Sequence, residues 1–100
     1  MEQSWLRCSA SAGQFPTEMA VAGTQSNGHS FSLFALKECV AGVQADETGY
    51  LKVDVVDRRG DLALVRLPAQ TFEAGQYVTV KATDLHPISG YMLSTGAKVG

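Results

Sequence analysis

GYLKVDVVDRRGDLALVRLP, residues 49–68, is the stretch that decides the fold. In each half of it, apolar residues recur at every second position, which is the pattern of a β-strand with one buried face. The halves are separated by Arg58-Arg59-Gly60, three residues of turn-forming character. The stretch therefore predicts an antiparallel β-hairpin.

The register of this hairpin depends on the length of its loop. A two-residue turn at Arg59-Gly60 would place Arg66 opposite Val53, on the apolar face. A three-residue loop, 58–60, avoids this and puts Gly60 where a positive φ is needed. We therefore predict the three-residue loop, which gathers six apolar side chains on one face. The predicted pairs are Leu51 with Leu67, Val53 with Val65 and Val55 with Ala63.

The second face of the hairpin is mixed in character. In the predicted register Lys52 lies opposite Arg66, with Asp54 diagonal to Arg66 as partial charge relief. The same face carries the apolar or aromatic side chains of Tyr50, Val56, Leu62 and Leu64. We expect the chain's own strands to cover much of it, as in a small closed barrel. A binding surface is the alternative.

Length and composition indicate one globular domain. The 100 residues are 45% hydrophobic and 18% charged, with a net charge of −2. This balance argues against disorder and against binding driven mainly by nucleic-acid phosphates. We assign the barrel to residues 1–87 and expect a flexible tail at 88–100, where glycines interrupt any pattern and 91–93 is the sole apolar cluster.

The N-terminal residues, MEQSWLRCSASAG, have neither a basic start nor a long apolar run. They predict no signal peptide and no membrane span, so we expect a cytoplasmic protein with no membrane partner. In that compartment Cys8 and Cys39 are expected to be free, buried thiols. A disulfide between the two is the alternative that their spacing leaves open.

Further strands are predicted on both sides of the central hairpin. Residues 5–9 predict a first strand, 18–24 and 30–36 a hairpin around Asn27-Gly28, and 76–82 a last strand. The register of the 18–36 hairpin stays open between two sets of pairs. A two-residue turn pairs Val21 with Phe34 and Ala22 with Leu33, whereas an odd loop pairs Val21 with Leu33 and Met19 with Ala35.

The connecting segments predict only single helical turns. Short turns are expected at 37–41, 69–75 and 83–86, each too short for a stable helix. Phe15 is expected to plug one end of the core, and Phe72 is expected to pack inward from its connector. Six short strands without a longer helix predict an all-β fold, a small barrel or sandwich of antiparallel strands. Their order resembles that of SH3-like barrels in architecture.

Residues able to support metal binding or catalysis are scattered. Cys8, His29, Cys39 and His86 are at least ten positions apart, unlike the close ligand pairs of structural zinc sites. Cys39, beside Lys37, is the better candidate nucleophile, but no base is placed near it by the sequence. We therefore predict no catalytic residues, no metal and no cofactor, and a protein that is not an enzyme.

The predicted function is that of a non-catalytic interaction module that binds a protein partner. Exposed apolar area around Leu64 motivates this prediction. The alternative is a nucleic-acid-associated barrel with two tyrosines for base stacking and a local basic strip on the central hairpin, formed by Lys52, Arg58, Arg59 and Arg66. The candidate binding residues are Tyr50, Lys52, Arg58, Arg59, Leu64, Arg66 and Tyr77.

Overall fold

The computed structural model of the chain describes residues 2–88. Its eight strands are β1 (Glu2–Ala12), β2 (Glu18–Thr24), β3 (Ser30–Leu36), β4 (Val40–Ala41), β5 (Thr48–Arg59), β6 (Leu62–Thr71), β7 (Gly75–Lys81) and β8 (Leu85–Pro87). Two single 3₁₀ turns, Lys37–Cys39 and Ala82–Asp84, precede β4 and β8. Within residues 2–88 there is no α-helix, and so no helix that could cross a membrane.

The strands form one antiparallel sheet with the order β3-β2-β1-β5-β6-β7. The two short strands lie off this path, with β4 paired to β5 and β8 paired to β1. The sheet curls so that its first strand, β3, approaches β6. The predicted all-β, barrel-like fold of about six antiparallel strands with only single helical turns is thereby confirmed.

The concave side of the sheet encloses the core. The six apolar residues that the hairpin pattern assigned to one face are all buried there, each no more than 6% exposed. Val78 and Val80 of β7 also point inward, as predicted, and Phe31 of β3 is fully buried. Alternation along each strand therefore sorts the side chains into the core and the convex outer face.

The predicted register of the central hairpin is wrong. Val55 pairs with Val65 instead of Ala63, and the turn consists of two residues, Gly60 and Asp61. Gly60 has a φ of +60°, which fits the glycine position of a type II′ turn. A β-bulge at Val56 takes up one extra residue of β5, and this keeps both strands facing the core.

A consequence of the true register is that Asp54, not Lys52, lies opposite Arg66. The two side chains form an ion pair of 2.8 Å on the outer face. Lys52 and Arg66, which the sequence predicted to be a like-charge pair, therefore do not lie opposite each other. Arg66 stays outside the core, as the apolar pattern of the hairpin requires.

The β2–β3 hairpin has the register predicted for a loop with an odd number of residues. Val21 pairs with Leu33 and Met19 with Ala35. This choice buries Val21, Leu33 and Ala35 together, whereas the two-residue turn would have mixed inner and outer side chains. The loop is closed by the Gln25 N–H, which donates to the His29 carbonyl over 2.8 Å.

The two ends of the curled sheet meet where β3 lies against the β6–β7 turn and the β2–β3 loop lies against β7. The Phe72 N–H donates to the Ser32 carbonyl over 2.9 Å, and the Ser26 N–H donates to the Thr79 carbonyl over 2.8 Å. Glu73 adds two hydrogen bonds from Ser32, each 2.7 Å long. We call this junction, formed by Ser26, Ser32, Phe72, Glu73 and Thr79, the seam.

Phe15 and Phe72 were expected in the core, and both predictions are wrong. Phe15 is 62% exposed because it lies at the tip of the β1–β2 turn, where its carbonyl accepts from the Glu18 N–H. Phe72 is 70% exposed because Thr71 pins the β6–β7 turn, donating to the Gly75 carbonyl and accepting from the Ala74 N–H. The rings of Phe72 and Phe34 meet edge to face, with ring centres 5.7 Å apart.

The predicted tail at 88–100, including the cluster at 91–93, lies outside the described residues except for Ile88. The first strand is longer than predicted, because it extends over Glu2–Ala12. Its length lets it pair with three neighbours, β5 on one side and both β2 and β8 on the other.

Candidate functional site

All seven predicted binding residues lie outside the core, on the convex side of β5, β6 and β7 or at the hairpin end. They do not form one cluster. Arg66 pairs with Tyr77 across β6 and β7, and Leu64 and Arg59 line a recess nearer the hairpin end. Tyr50 and Lys52 lie at the other end of β5, against β1.

Each arginine of the predicted basic strip has a carboxylate partner. Arg58 pairs with Glu2 at 2.8 Å, Arg59 with Asp57 at 3.0 Å and Arg66 with Asp54 at 2.8 Å.

The hydrogen bond from Arg66 lowers the pKa of Asp54, and the hydrogen bond from Arg58 lowers the pKa of Glu2. Both carboxylates therefore remain ionised at neutral pH and offset the arginines. The hairpin end thus presents paired charges instead of an uncompensated positive strip.

The recess on the hairpin lies beside the β-bulge. By displacing the pairing, the bulge sets Asp57 opposite Leu64 and Arg59 opposite Leu62. Asp57 and Arg59 bind each other along the strand and form a polar wall. The two leucines, Ala63 and Thr79 line the remainder of a recess of about 240 Å³. Leu62 is 37% exposed, so apolar surface remains accessible there.

The other two predicted residues belong to a group that sequence reasoning did not assemble. Trp5 of β1 lies between Lys52 of β5 and His86 of β8, directly opposite both. The Lys52 Nζ atom is 5.7 Å from the centre of the Trp5 ring. Tyr50 and His86 meet edge to face, with ring centres 5.2 Å apart.

Arg7 completes this group, because it lies opposite Tyr50 and next to Trp5 in the outward-facing row of β1. We call Trp5, Arg7, Tyr50, Lys52 and His86 the aromatic face. The alternation Trp5-x-Arg7 and Tyr50-x-Lys52 was visible in the sequence. The neighbours of β1 in the sheet, which bring the rows together, were not.

Larger recesses lie elsewhere on the surface of residues 2–88. One of about 350 Å³ occurs where β1 parts from β2 towards β8, and its lining includes Arg7 and Asp84. A second, of about 260 Å³, lies between β5 and the end of β6, beside Lys52 and Cys39. The third, of about 360 Å³, surrounds Phe15 on the β1–β2 turn.

The two cysteines are free thiols in environments that disfavour ionisation. Burial raises the pKa of Cys8 to about 12. Burial and the nearby Glu38 raise the pKa of Cys39, although Lys52 acts in the opposite direction. A nucleophilic cysteine needs a lowered pKa, so these surroundings do not activate either thiol. Within residues 2–88 no three His, Cys, Asp or Glu side chains form a potential metal site.

The chain has no match among protein-family models, curated proteins or solved structures.

Proposed function

We propose that this protein is a non-catalytic interaction module that binds an extended segment of a partner protein at the recess on the β5–β6–β7 face. The single observation that carries the proposal is the recess itself, with Leu62 and Leu64 presented on a regular sheet surface. Strands hold such side chains more rigidly than loops do, which lowers the entropic cost of recognition.

The size of the recess indicates the kind of ligand. At about 240 Å³ it is smaller than the roughly 300–1,000 Å³ of typical small-molecule pockets. It suits one apolar side chain of a peptide instead. The Asp57–Arg59 pair on one rim and Tyr77, 54% exposed further along β7, supply a polar and aromatic margin of the kind found at protein interfaces.

The test is a peptide selection with matched variants. A random peptide library displayed on phage is selected on the wild-type protein, and the dissociation constants of the enriched peptides are measured by calorimetry. Leu62→Asn is expected to weaken binding roughly 10- to 150-fold, the equivalent of one buried leucine. Leu36→Asn is the control, because Leu36 is 53% exposed at the far end of β3.

Leu64→Asp provides a second variant. If it stays folded by circular dichroism and loses peptide binding, the recess is a binding site. If it unfolds, Leu64 is part of the core and the Leu62→Asn result decides. Equal binding by wild type and Leu62→Asn, or no enriched peptide at all, overturns the proposal.

A further inference from the structure

We infer that the aromatic face, on the opposite end of β5 from the recess, is a binding site for single-stranded nucleic acid. The site is independent of the proposed peptide recess, since it uses β1, β8 and the first half of β5. Two requirements identify its ligand. It must offer planar rings that can stack, and negative charge that can pair with Arg7 and Lys52.

The aromatic content of this face is the first support. It holds the only tryptophan of the chain, and Trp5, Tyr50 and His86 are each only partly buried. Side chains of this kind on an exposed sheet face form the stacking platforms by which proteins hold unpaired bases. The edge-to-face contact between Tyr50 and His86 spans β1 and holds both rings in place.

The charge of the face is the second support. Arg58, Arg59 and Arg66 are neutralised by carboxylates, whereas Arg7 and Lys52 make no ion pair within residues 2–88. Asp84 lines a recess together with Arg7, but the two side chains form no ion pair. Lys52 is held above Trp5 by a cation–π contact, so positive charge lies directly beside the largest ring.

These two features together distinguish the ligand from other anions. An acidic peptide would satisfy the cations but would not use three adjacent rings, whereas a nucleotide offers a base and a phosphate at neighbouring positions. The net charge of −2 also predicts that binding is local and weak, with no long-range attraction to a duplex.

Because Trp5 is the sole tryptophan, its fluorescence reports on the site directly. The experiment titrates the full chain with twelve-nucleotide oligouridylate at low salt. In parallel, it follows the fluorescence anisotropy of the same oligonucleotide carrying a dye. We expect indole quenching, and a slope of log K against log salt of about −1.4 for two phosphate contacts to a single strand.

Variants assign the contributions of each residue. Lys52→Gln and Arg7→Gln are each expected to reduce the salt slope by about 0.7. Trp5→Leu, followed by anisotropy, is expected to weaken binding roughly 5- to 150-fold through loss of stacking on one base. Lys37→Gln, an exposed lysine on the first 3₁₀ turn, is the control and is expected to leave the slope unchanged.

Three results would overturn the inference. The first is the absence of quenching or anisotropy change at low salt. The second is equal quenching by poly-glutamate, which would show that the face binds anions without using bases. The third is a salt slope that Lys52→Gln and Arg7→Gln leave unchanged while Lys37→Gln reduces it.

Discussion

The carboxylate of Glu73 accepts two hydrogen bonds from Ser32, one from its backbone N–H and one from its hydroxyl, both 2.7 Å long. Ser32 belongs to the first strand of the sheet order and Glu73 to the turn between the last two strands. One exposed acidic side chain thus joins the two ends of the curled sheet. These bonds also lower the pKa of Glu73.

Glu73→Ala is therefore expected to loosen the seam without disturbing the core. Amide hydrogens of Phe31–Leu33 should exchange faster with deuterium, and the melting temperature should fall. Because the folded-state pKa of Glu73 is lowered, its stabilising effect is complete above the unfolded pKa and is lost as the pH falls through the folded value. Glu38→Ala is the control, and equal exchange in both variants would contradict this role.

A side chain at Gly23 is expected to destabilise the fold, because the ring of Phe31 lies against this glycine. A Cβ atom at Gly23 would be 2.5 Å from the Phe31 Cζ atom. Gly23→Ala should therefore lower the free energy of unfolding by about 1–3 kcal/mol, the usual effect of overpacking. Urea denaturation measures this change.

A double-mutant cycle separates crowding from backbone effects at Gly23. Combining Gly23→Ala with Phe31→Leu should cost less than the sum of the two single changes, because leucine leaves room for the new methyl group. Ala22→Ser, at the exposed neighbouring position, should be close to neutral. Strict additivity in the cycle would show that the ring is not the cause.

The pairing of Asp54 with Arg66 predicts a change in titration that NMR can follow. The carboxyl carbon of Asp54 should titrate below its ordinary pKa of 3.8, and Arg66→Gln should raise that value. Since the pKa is lowered in the folded state, the pair stabilises the fold above the unfolded pKa and ceases to do so at lower pH. Arg59→Gln should leave Asp54 unaffected, because Arg59 pairs with Asp57. An unchanged Asp54 titration in Arg66→Gln would refute the pairing.

The thiols should differ in reactivity. At pH 8 iodoacetamide should modify Cys39 slowly and Cys8 only after unfolding, as mass spectrometry can show. The pKa of Cys8 is raised from its ordinary value of 9.0 to about 12, so the folded state retains the proton longer than the unfolded state. Stability should consequently fall as the pH rises from 9 towards 12, and this fall should be smaller in Cys8→Ala. Rapid labelling of Cys8 in the native protein would contradict its burial.

The inner face of the central hairpin could be predicted from the sequence, but its register could not. Moving the partner of Val55 from Ala63 to Val65 is a shift of two residues, and such a shift keeps every apolar side chain on the same side. The hydrophobic pattern is therefore identical for both registers. The choice depends on the bulge at Val56 and the tight turn at Gly60, which local alternation does not encode.

For the candidate binding surfaces, too, the orientation of side chains could be predicted from the sequence but their neighbours could not. That Trp5 and Lys52 point outward follows from alternation within each strand. That they are neighbours depends on β1 being paired between β5 and β8, which is a property of strand order. The ion pairs of Arg58 and Arg66 likewise depend on partners in other strands or on the true register. Phe15 and Phe72 were misplaced because composition alone does not show that turns hold them outside.

The bulge at Val56 has an architectural consequence. Without that residue the remaining pairs of β5 and β6 would follow one another as an uninterrupted ladder, and each side chain would keep its present orientation. What would be lost is the extra right-handed coiling that a bulge adds to a strand. The bulge at Val56 therefore adds to the curl that brings Glu73 to Ser32, as does the second irregularity in the pairing, between Arg66 and Thr71 of β6.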